Sequence, residues 1–357
     1  MKRTTILLLA LILLLAACAP LRNAASTGPA IVITDARGRT VKLTSLPQRI
    51  VITGKGLFMI ADAAYLFPEA SQRIVGLGDA GQGTSKFLSW IDPHYGDKTI
   101  LSSGAGAEQI AALHPDLVIL KSYVAATLGA TIEALGLPVI YVDFETPEQY
   151  SRDVAILGEV FGDPARAAEV STFYQSRIDS IRQAIRTTAK PRTLLLYYDK
   201  GGGSVAFNVP PLNWMQTQMV QLAGGEPIWV GASLGNGWTQ VTLEQIAAWD
   251  ADDIFIVSYD ANSADVVAGL KTDVNWQALR AVKEGHLHAF AGDLYSWDQP
   301  DPRWILGLTW LAGKLHPDLF PSLDMTAEAR TFYASLYGLD AASFDANILP
   351  TFKGDLP

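Results

Sequence analysis

Three basic side chains stand where predicted strands end or a predicted helix begins: Lys55, Lys86 and Arg303. Lys55 lies in a Gly-Lys-Gly turn, Lys86 lies in the loop 79–87, and Arg303 lies in the first turn of a helix that Pro302 opens. A cation beside the positive end of a helix dipole favours an anion. In a chain with a net charge of −9, these cations indicate an anionic small-molecule ligand. Ordinary surface ion pairing is the alternative.

Four aromatic side chains and one amide follow other predicted strands. Rings in such places suit the walls of a pocket for a large planar or macrocyclic ligand with apolar faces. The alternative for each ring is a place in the hydrophobic core. The chemistry predicted for these residues is noncovalent capture. The candidates are Tyr123, Asn236, Trp238, Tyr259 and Trp297.

The sequence lacks the residue patterns of an enzyme or of a bare-metal site. It has no Ser-His-Asp spacing, no GxGxxG motif after a strand, and a single cysteine. His286 and His288 share one face of a predicted strand, but no further metal ligands accompany them. We therefore predict no catalytic residue, no metal site and no intrinsic cofactor, although the ligand itself could be a metal chelate. An exported metal-insertion or redox enzyme remains a remote alternative.

An internal repeat shows how these residues are positioned. The segment AEQIAALHPDLVILKSY begins at residue 107, and LEQIAAWDADDIFIVSY begins 136 positions later, with 8 of 17 positions identical. Each copy predicts a short helix, a continuous apolar strand, and Ser-Tyr just beyond the carboxyl end of that strand. Parallel strands that are covered on both faces have this apolar pattern. Tyr123 and Tyr259 should therefore occupy equivalent places in two similar lobes.

Strands and helices alternate through the rest of the chain, so the fold class is α/β with two Rossmann-like lobes built on parallel sheets. The first lobe is predicted at 31–146 and the second at 191–320, with a ligand cleft between them. Residues 147–190 read as one long backbone helix that is interrupted or restarted at Gly162-Asp163-Pro164. A helical tail follows at 321–357. Because the connection is a stiff helix, closure of the lobes on a ligand should be small.

The first residues indicate export and a membrane anchor. Two positive charges precede an apolar run of about ten residues, which is too short to cross a bilayer as a helix. Residues 1–17 are therefore predicted to be a signal peptide. Leu-Ala-Ala-Cys then resembles the bacterial lipobox, which implies that Cys18 is lipidated. Residues 18–30 read as a flexible tether, and the predicted location is extracytoplasmic, anchored to the bacterial cell membrane.

These features together resemble the periplasmic binding proteins for vitamin B12, ferric siderophores and haem, whose two lobes are joined by one long helix. The resemblance covers residues 31–320. Its most specific mark is EQIAALHPDLV, which begins at Glu108, and supporting marks are PQRIV at 47–51, LGEVFG at 157–162 and VTLEQI at 241–246. The resemblance implies that the partners are the permease and the ATPase of an ABC importer.

In that family one exposed glutamate on each lobe docks against arginines of the permease, and by motif position these are Glu108 and Glu244. The repeat independently places both on outward helix faces. The resemblance implies an iron chelate or a related corrinoid or haem as ligand, and an oxyanion such as molybdate or tungstate is the alternative. The acidic composition argues against nucleic acid as a partner, and a monomer is expected.

Overall fold

The structure is a computed structural model, which describes residues 31–79, 86–201, 205–232 and 235–356. The predicted signal peptide, Cys18 and the predicted tether lie outside the described residues. None of the helices in the described ranges is both long enough and apolar enough to span a bilayer.

The first lobe contains a five-stranded parallel sheet in the order β5-β4-β3-β6-β7. An antiparallel hairpin, β1 and β2, precedes it. All five residues of the interior strand β6 are buried, as its apolar run 117–120 predicts. The elements are β1 Ile31–Thr34, β2 Thr40–Leu43, β3 Ile50–Ile52, α1 Leu57–Ala64, α2 Ala70–Arg73, β4 Ile74–Gly78, α3 Phe87–Ile91, β5 Thr99–Leu101, α4 Ala107–Ala111, β6 Leu117–Lys121, α5 Ala130–Ala134 and β7 Val139–Val142.

The second lobe contains a mixed sheet in the order β11-β9-β8-β12-β13, with β10 paired to β8. Strands β8, β12 and β13 run parallel, whereas β9 is antiparallel to β8, and β11 to β9. The elements are β8 Arg192–Asp199, β9 Ala206–Val209, α8 Met215–Leu222, β10 Glu226–Pro227, β11 Thr239–Val241, α9 Leu243–Trp249, β12 Asp253–Val257, α10 Ser263–Thr272, α11 Arg280–Lys283, β13 Leu287–Ala289 and α12 Trp304–Leu315.

The antiparallel part of the second sheet differs from the parallel sheet that the sequence predicts. Only residues 200–205 separate β8 from β9. A parallel crossover needs about a dozen residues or more, so this short connection can only return the chain as an antiparallel neighbour.

The internal repeat is confirmed down to single hydrogen bonds. Helix α4 is followed by His114 and helix α9 by Asp250, both in the left-handed conformation with φ of 48° and 43°. In the first lobe the Arg49 guanidinium donates to the Leu113 carbonyl at 2.7 Å. In the second lobe Arg192 donates to the Trp249 carbonyl at the same distance. The two copies therefore end their helices and begin their sheets in the same way.

The helical stretch between the lobes consists of two helices, α6 Pro147–Phe161 and α7 Pro164–Ala184. Gly162 adopts a left-handed φ of 71° and separates them, as a glycine C-cap does. The 21 residues of α7 span about 31 Å at 1.5 Å per residue. At its first turn Arg166 donates to the Leu66 carbonyl of the first lobe, and further along α7 packs on α8 and α12 of the second. Helix α7 alone therefore joins the lobes. It is about half as long as the single helix that the sequence predicts for residues 147–190.

The C-terminal tail contains α13 Met325–Tyr337 and α14 Ala341–Ser343. The sequence predicts that the first of these packs on the second lobe, and the structure adds contacts with the first lobe. The Tyr337 hydroxyl donates to the Asp62 carbonyl of α1 at 3.0 Å. The rings of Tyr333 and Tyr337 also meet the ring of Phe87 edge-on. The tail therefore links the lobes a second time.

Candidate ligand-binding cleft and docking surface

A cleft of about 430 Å³ lies between the two lobes, at the carboxyl ends of their strands. Open α/β sheets bind their ligands at this edge. The first lobe contributes the end of β6 and segments that follow β3, β6 and β7. The second lobe contributes the segment that precedes β11 and segments that follow β9, β12 and β13. The lining consists of Gly56, Met59, Lys121, Tyr123, Glu145, Trp214, Gln216, Asn236, Trp238, Tyr259, Gln299 and Pro300.

The first-lobe wall combines one exposed ring with a neutralised cation. Tyr123 follows β6, and 56% of it is exposed. Partial burial and the nearby Glu145 carboxylate raise its pKa to about 12, so the phenol stays protonated at neutral pH. The Lys121 ammonium is buried, forms an ion pair with Glu145, and lies 3.1 Å from the Met59 sulfur. This wall therefore offers an aromatic face and an ion pair whose net charge is zero.

The second-lobe wall is a continuous group of aromatic rings. Tyr197 and Tyr259 stack with centroids 4.7 Å apart, and the ring of Trp238 lies 5.0 Å from that of Tyr197. Trp214 meets Trp238 edge-on, at 5.6 Å and 89°. Rings in mutual contact hold one another in place. They present an extended apolar surface toward Tyr123 across the cleft.

A buried carboxylate supports this wall from behind. The Tyr259 hydroxyl donates to Asp298 Oδ2 at 2.7 Å, and the Gln216 amide donates to the same oxygen at 3.2 Å. Asp298 is fully buried, and burial raises its pKa, although the hydrogen bonds from Tyr259 and Gln216 oppose the shift. The hydrogen bond fixes the Tyr259 ring at the cleft surface.

The structure places four of the eight predicted ligand-binding residues in the cleft lining: Tyr123, Asn236, Trp238 and Tyr259. Lys55 is exposed and adjoins the lining residue Gly56, so it lies at the rim. Lys86 is also exposed, next to Phe87, which lines a separate small cavity of about 40 Å³.

Trp297 and Arg303 lie away from the cleft lining, in the interior. The Trp297 ring is fully buried and packs edge-on against Phe352 of the C-terminal segment. Arg303 is fully buried too, so its guanidinium does not present a charge to the cleft.

Arg303 is the centre of an ionic cluster that joins the two lobes. Its Nη1 lies 2.7 Å from Asp62 of the first lobe and 3.0 Å from Asp301, and its Nε lies 3.2 Å from Asp293. Nε also donates to the Tyr333 hydroxyl of the tail at 2.8 Å. The sequence predicts this cation in the first turn of the helix, and the structure makes it the residue immediately before α12. It could not show that three carboxylates would surround it.

The lining residues that sequence reasoning missed include Lys121, Glu145, Trp214, Gln216 and Gln299. One available signal was the comparison between repeats, because Lys121 stands where the second copy has Val257. Lys121 is a charged residue at the carboxyl end of an apolar strand, the edge at which open α/β sheets bind their ligands. Gln216 had no such signal, because its partner Asp298 is 82 residues away.

Glu108 and Glu244 are exposed in the first turns of α4 and α9, at equivalent places on the two lobes. In each helix the glutamine that follows them accepts a hydrogen bond from the residue before the helix, Gly106 or Thr242. Hydrogen bonds from its own backbone N–H and from the Thr242 hydroxyl hold the pKa of Glu244 below its ordinary value. These helices begin near the carboxyl ends of the strands, at the same edge as the cleft.

A larger cavity of about 900 Å³ lies at the opposite edge of the second lobe. It lies near the amino ends of β12 and β13 and includes Asp253, His286 and His288. His288 Nε2 lies 3.0 Å from Asp253, and Nδ1 lies 3.7 Å from Asp355 of the tail. Because the first lobe contributes none of its lining, we do not assign it to the ligand.

The architecture is that of a two-lobed solute-binding protein. It has two α/β lobes, a single connecting helix and an aromatic cleft between the lobes. A family model described as "Periplasmic binding protein" matches residues 76–292, which is more than half of the chain. The chain belongs to this family, and the resemblance seen in the sequence is confirmed.

Individual relatives agree with this assignment. The molybdate-binding protein MolA of Haemophilus influenzae is 22% identical over 334 residues, covering 86% of this chain and 90% of MolA. A vitamin B12-binding protein of Yersinia pestis is 24% identical over 201 residues, covering 54% of this chain and 67% of that protein. The crystal structure of a periplasmic solute-binding protein from Veillonella parvula superposes with a TM-score of 0.70 at 22% identity, covering 90% of this chain and all of that one. The Veillonella protein shares the fold of this chain, and the other two relatives are named for different ligands.

Proposed function

We propose that this protein captures a large ligand with apolar faces, a ferric siderophore or a related corrinoid or haem, and delivers it to an ABC importer. The observation that carries the proposal is the aromatic lining of the cleft, with rings from both lobes. Rings of this kind suit the faces of a macrocycle or chelate. The proposed importer consists of a permease and its ATPase.

An oxyanion receptor is the second candidate, because one relative is named for molybdate. An oxyanion needs concentrated cations and hydrogen-bond donors. In this cleft Lys121 is paired with Glu145, and Arg303 is enclosed by carboxylates outside the lining. The electrostatics of the described cleft residues therefore favour the chelate or corrinoid over a compact anion.

The docking proposal rests on the equivalent positions of Glu108 and Glu244. Both glutamates are exposed at the cleft edge, so a permease could contact both while the cleft faces the membrane. Cys18 is proposed to carry the lipid anchor that keeps the protein near its permease. More than one acyl chain would be needed for a stable anchor.

Ligand binding is tested by titrating the purified protein with a ferric hydroxamate, a corrinoid, haem and molybdate while tryptophan fluorescence is recorded. We expect saturable binding of one chelate, corrinoid or haem, and a loss of affinity of at least tenfold in Trp238→Ala. Trp249→Ala is the matched control, because Trp249 is also half-buried but lies outside the cleft lining. Tight molybdate binding that Trp238→Ala leaves unchanged would support the oxyanion receptor instead.

Docking is tested by uptake of the identified ligand in cells that carry Glu108→Ala/Glu244→Ala. Uptake should be lost while ligand affinity is unchanged, because an interfacial charge pair costs about 2–5 kcal/mol when one partner is removed. Glu159→Ala/Glu226→Ala is the control, since both of these glutamates are exposed and lie on other elements. Normal uptake in the first double variant would refute the docking assignment.

A further inference from the structure

The second-lobe half of the cleft is surrounded by carboxylates. Its central ring pair is Tyr197 and Tyr259. Burial raises the pKa of Tyr197 to about 12, and Asp199, Asp260 and Asp298 add to the shift. All three carboxylates therefore lie close enough to the aromatic wall to influence its charge.

Asp298 differs from the other buried carboxylates of the protein. Asp62, Asp293 and Asp301 share the Arg303 guanidinium, whereas no ion pair involves Asp298 among the residues that the structure describes. Its Oδ2 accepts two hydrogen bonds from neutral groups, and its Oδ1 is buried without a hydrogen-bond partner. A buried carboxylate with no counter-ion is costly.

Gln299 provides an independent observation in the same region. It is only 3% exposed, yet it lines the cleft. Its Oε1 is buried without a hydrogen-bond partner. Asp298, behind the second-lobe wall, and its neighbour Gln299, in the cleft lining, thus each have one acceptor oxygen without a hydrogen bond. Such oxygens call for a hydrogen-bond donor or a positive charge.

The aromatic rings fit the same kind of group. Trp214 and Trp238 both line the cleft and meet at 89°, so they form a corner with two ring faces. Tryptophan faces attract cations within about 6 Å of the ring centroid. Carboxylates behind aromatic faces reinforce this attraction, because both place negative potential on the same side of the cleft.

The cations near the cleft do not reverse this charge. Lys121 is neutralised by Glu145. Lys353 is close enough for Asp298 to raise its pKa, although burial lowers that pKa overall, and it forms no ion pair with Asp298 in the described residues. Lys55 is an exposed side chain at the first-lobe rim. In the second lobe, the exposed Lys200 directly follows Asp199 in the chain. The cations that line or adjoin the cleft, Lys121 and Lys55, belong to the first lobe, whereas Asp199, Asp260 and Asp298 act on the second-lobe wall.

We propose that the second-lobe half of the cleft, at Trp214, Trp238 and Tyr259, binds a positively charged part of the ligand. The ligand is then a cationic chelate or corrinoid, in contrast to the anionic ligand that the sequence indicates. This inference rests on the proposed function, because it assigns an orientation to a ligand in the same cleft. Asp298 acts as a positioning residue that holds Tyr259. A bound cation favours its ionised form, which then supplies negative potential behind the ring.

The test uses two pairs of probes that differ by one positive charge. The first pair is ferrioxamine B, which carries a protonated amine, and N-acetylferrioxamine B, which is neutral. The second pair is aquocobalamin, which is cationic below neutral pH, and neutral cyanocobalamin. Molybdate and a ferric catecholate, both anionic, complete the set. Affinities are measured by isothermal titration calorimetry at pH 6.5 with the full folded protein.

In at least one pair we expect the cationic member to bind at least tenfold more tightly. Asp298→Asn should reduce this preference to about threefold or less while leaving the neutral member's affinity unchanged, because asparagine keeps an acceptor for Tyr259. If Asp298→Asn does not fold, Asp260→Asn at an exposed position should lower the preference by a smaller factor.

Equal binding of both members, or tighter binding of the neutral one, overturns the inference and leaves the proposed function intact. Failure of every chelate and corrinoid to bind refutes the proposed function instead. Tight binding of molybdate or the ferric catecholate refutes the cationic subsite directly, because neither carries positive charge.

Discussion

Replacing Arg303 with methionine should destabilise the protein strongly. Methionine fills a similar volume, so the main effect is electrostatic. The substitution leaves Asp62, Asp293 and Asp301 without their shared cation, and all four side chains are at most 2% exposed. It also removes the cation that lies 4.6 Å from the centre of the Phe87 ring.

The magnitude follows from the burial of the cluster. Removing one partner of a buried ion pair costs about 3–5 kcal/mol, because the remaining charge is uncompensated. At about 2–4 °C per kcal/mol for a protein of this size, the melting temperature should fall by roughly 6–20 °C. Because Asp62 belongs to the first lobe and Arg303 to the second, part of this loss is a loss of contact between the lobes.

The pH dependence gives a second, independent signature. Burial raises the pKa of Asp301 to about 7 and raises that of Asp62, although Arg303 opposes both shifts. A carboxyl whose pKa is raised on folding contributes stability at low pH that is lost as pH rises through the folded-state pKa. Without Arg303 these pKa values rise further. The deficit of Arg303→Met should therefore be smaller at pH 5 than at pH 8.

Urea unfolding followed by tryptophan fluorescence measures both effects. Arg280→Met is the matched control, since Arg280 also pairs with three carboxylates, Asp250, Asp252 and Glu284, but at the surface. It should change stability far less, because water screens exposed pairs. Adding Asp62→Asn and Asp301→Asn to Arg303→Met should recover part of the loss. A deficit no larger than that of Arg280→Met would refute the reasoning.

Three further outcomes are expected. Gly307→Ala in α12 should destabilise by about 1–3 kcal/mol or more in urea unfolding, because an added methyl group would lie 2.2 Å from the carbonyl oxygen of Trp297. Gly269→Ala in α10 has open space around it and should stabilise by about 0.5–1 kcal/mol in the same assay; a loss there would contradict the helix assignment. Burial lowers the pKa of His288, but hydrogen bonds to Asp253 and Asp355 raise it, and the net shift is upward. The wild-type protein should therefore lose stability relative to His288→Gln as the pH rises from about 6 to 8. A pH-independent difference would count against that assignment.

The internal repeat allowed more of the fold to be predicted than composition or periodicity alone. It placed Tyr123 and Tyr259 at equivalent strand ends, and both line the cleft. It also placed Glu108 and Glu244 on exposed helix faces. The structure agrees with these placements, which depend on local hydrogen bonds and on the pattern of apolar residues along one segment. The roles of the four residues in binding and docking stay predictions.

The charge of the cleft could not be predicted in the same way. Arg303 looked like a ligand-binding cation because its sequence neighbours place it at a helix start. Its partners Asp62 and Tyr333 lie 241 and 30 residues away, and only the folded chain brings them together. The mixed second sheet was predictable in principle from the short connection after β8, but strand hydrophobicity alone does not distinguish parallel from antiparallel neighbours.

The central claim is that rings from both lobes hold a large ligand in the interlobe cleft. Native mass spectrometry and absorption spectroscopy of the protein purified from its own host test this most directly. We expect one bound ligand per chain, coloured as a ferric chelate, corrinoid or haem is, and absent from a Tyr123→Ala/Trp238→Ala variant. A colourless bound oxyanion, or a ligand that this double variant retains in full, would contradict the account.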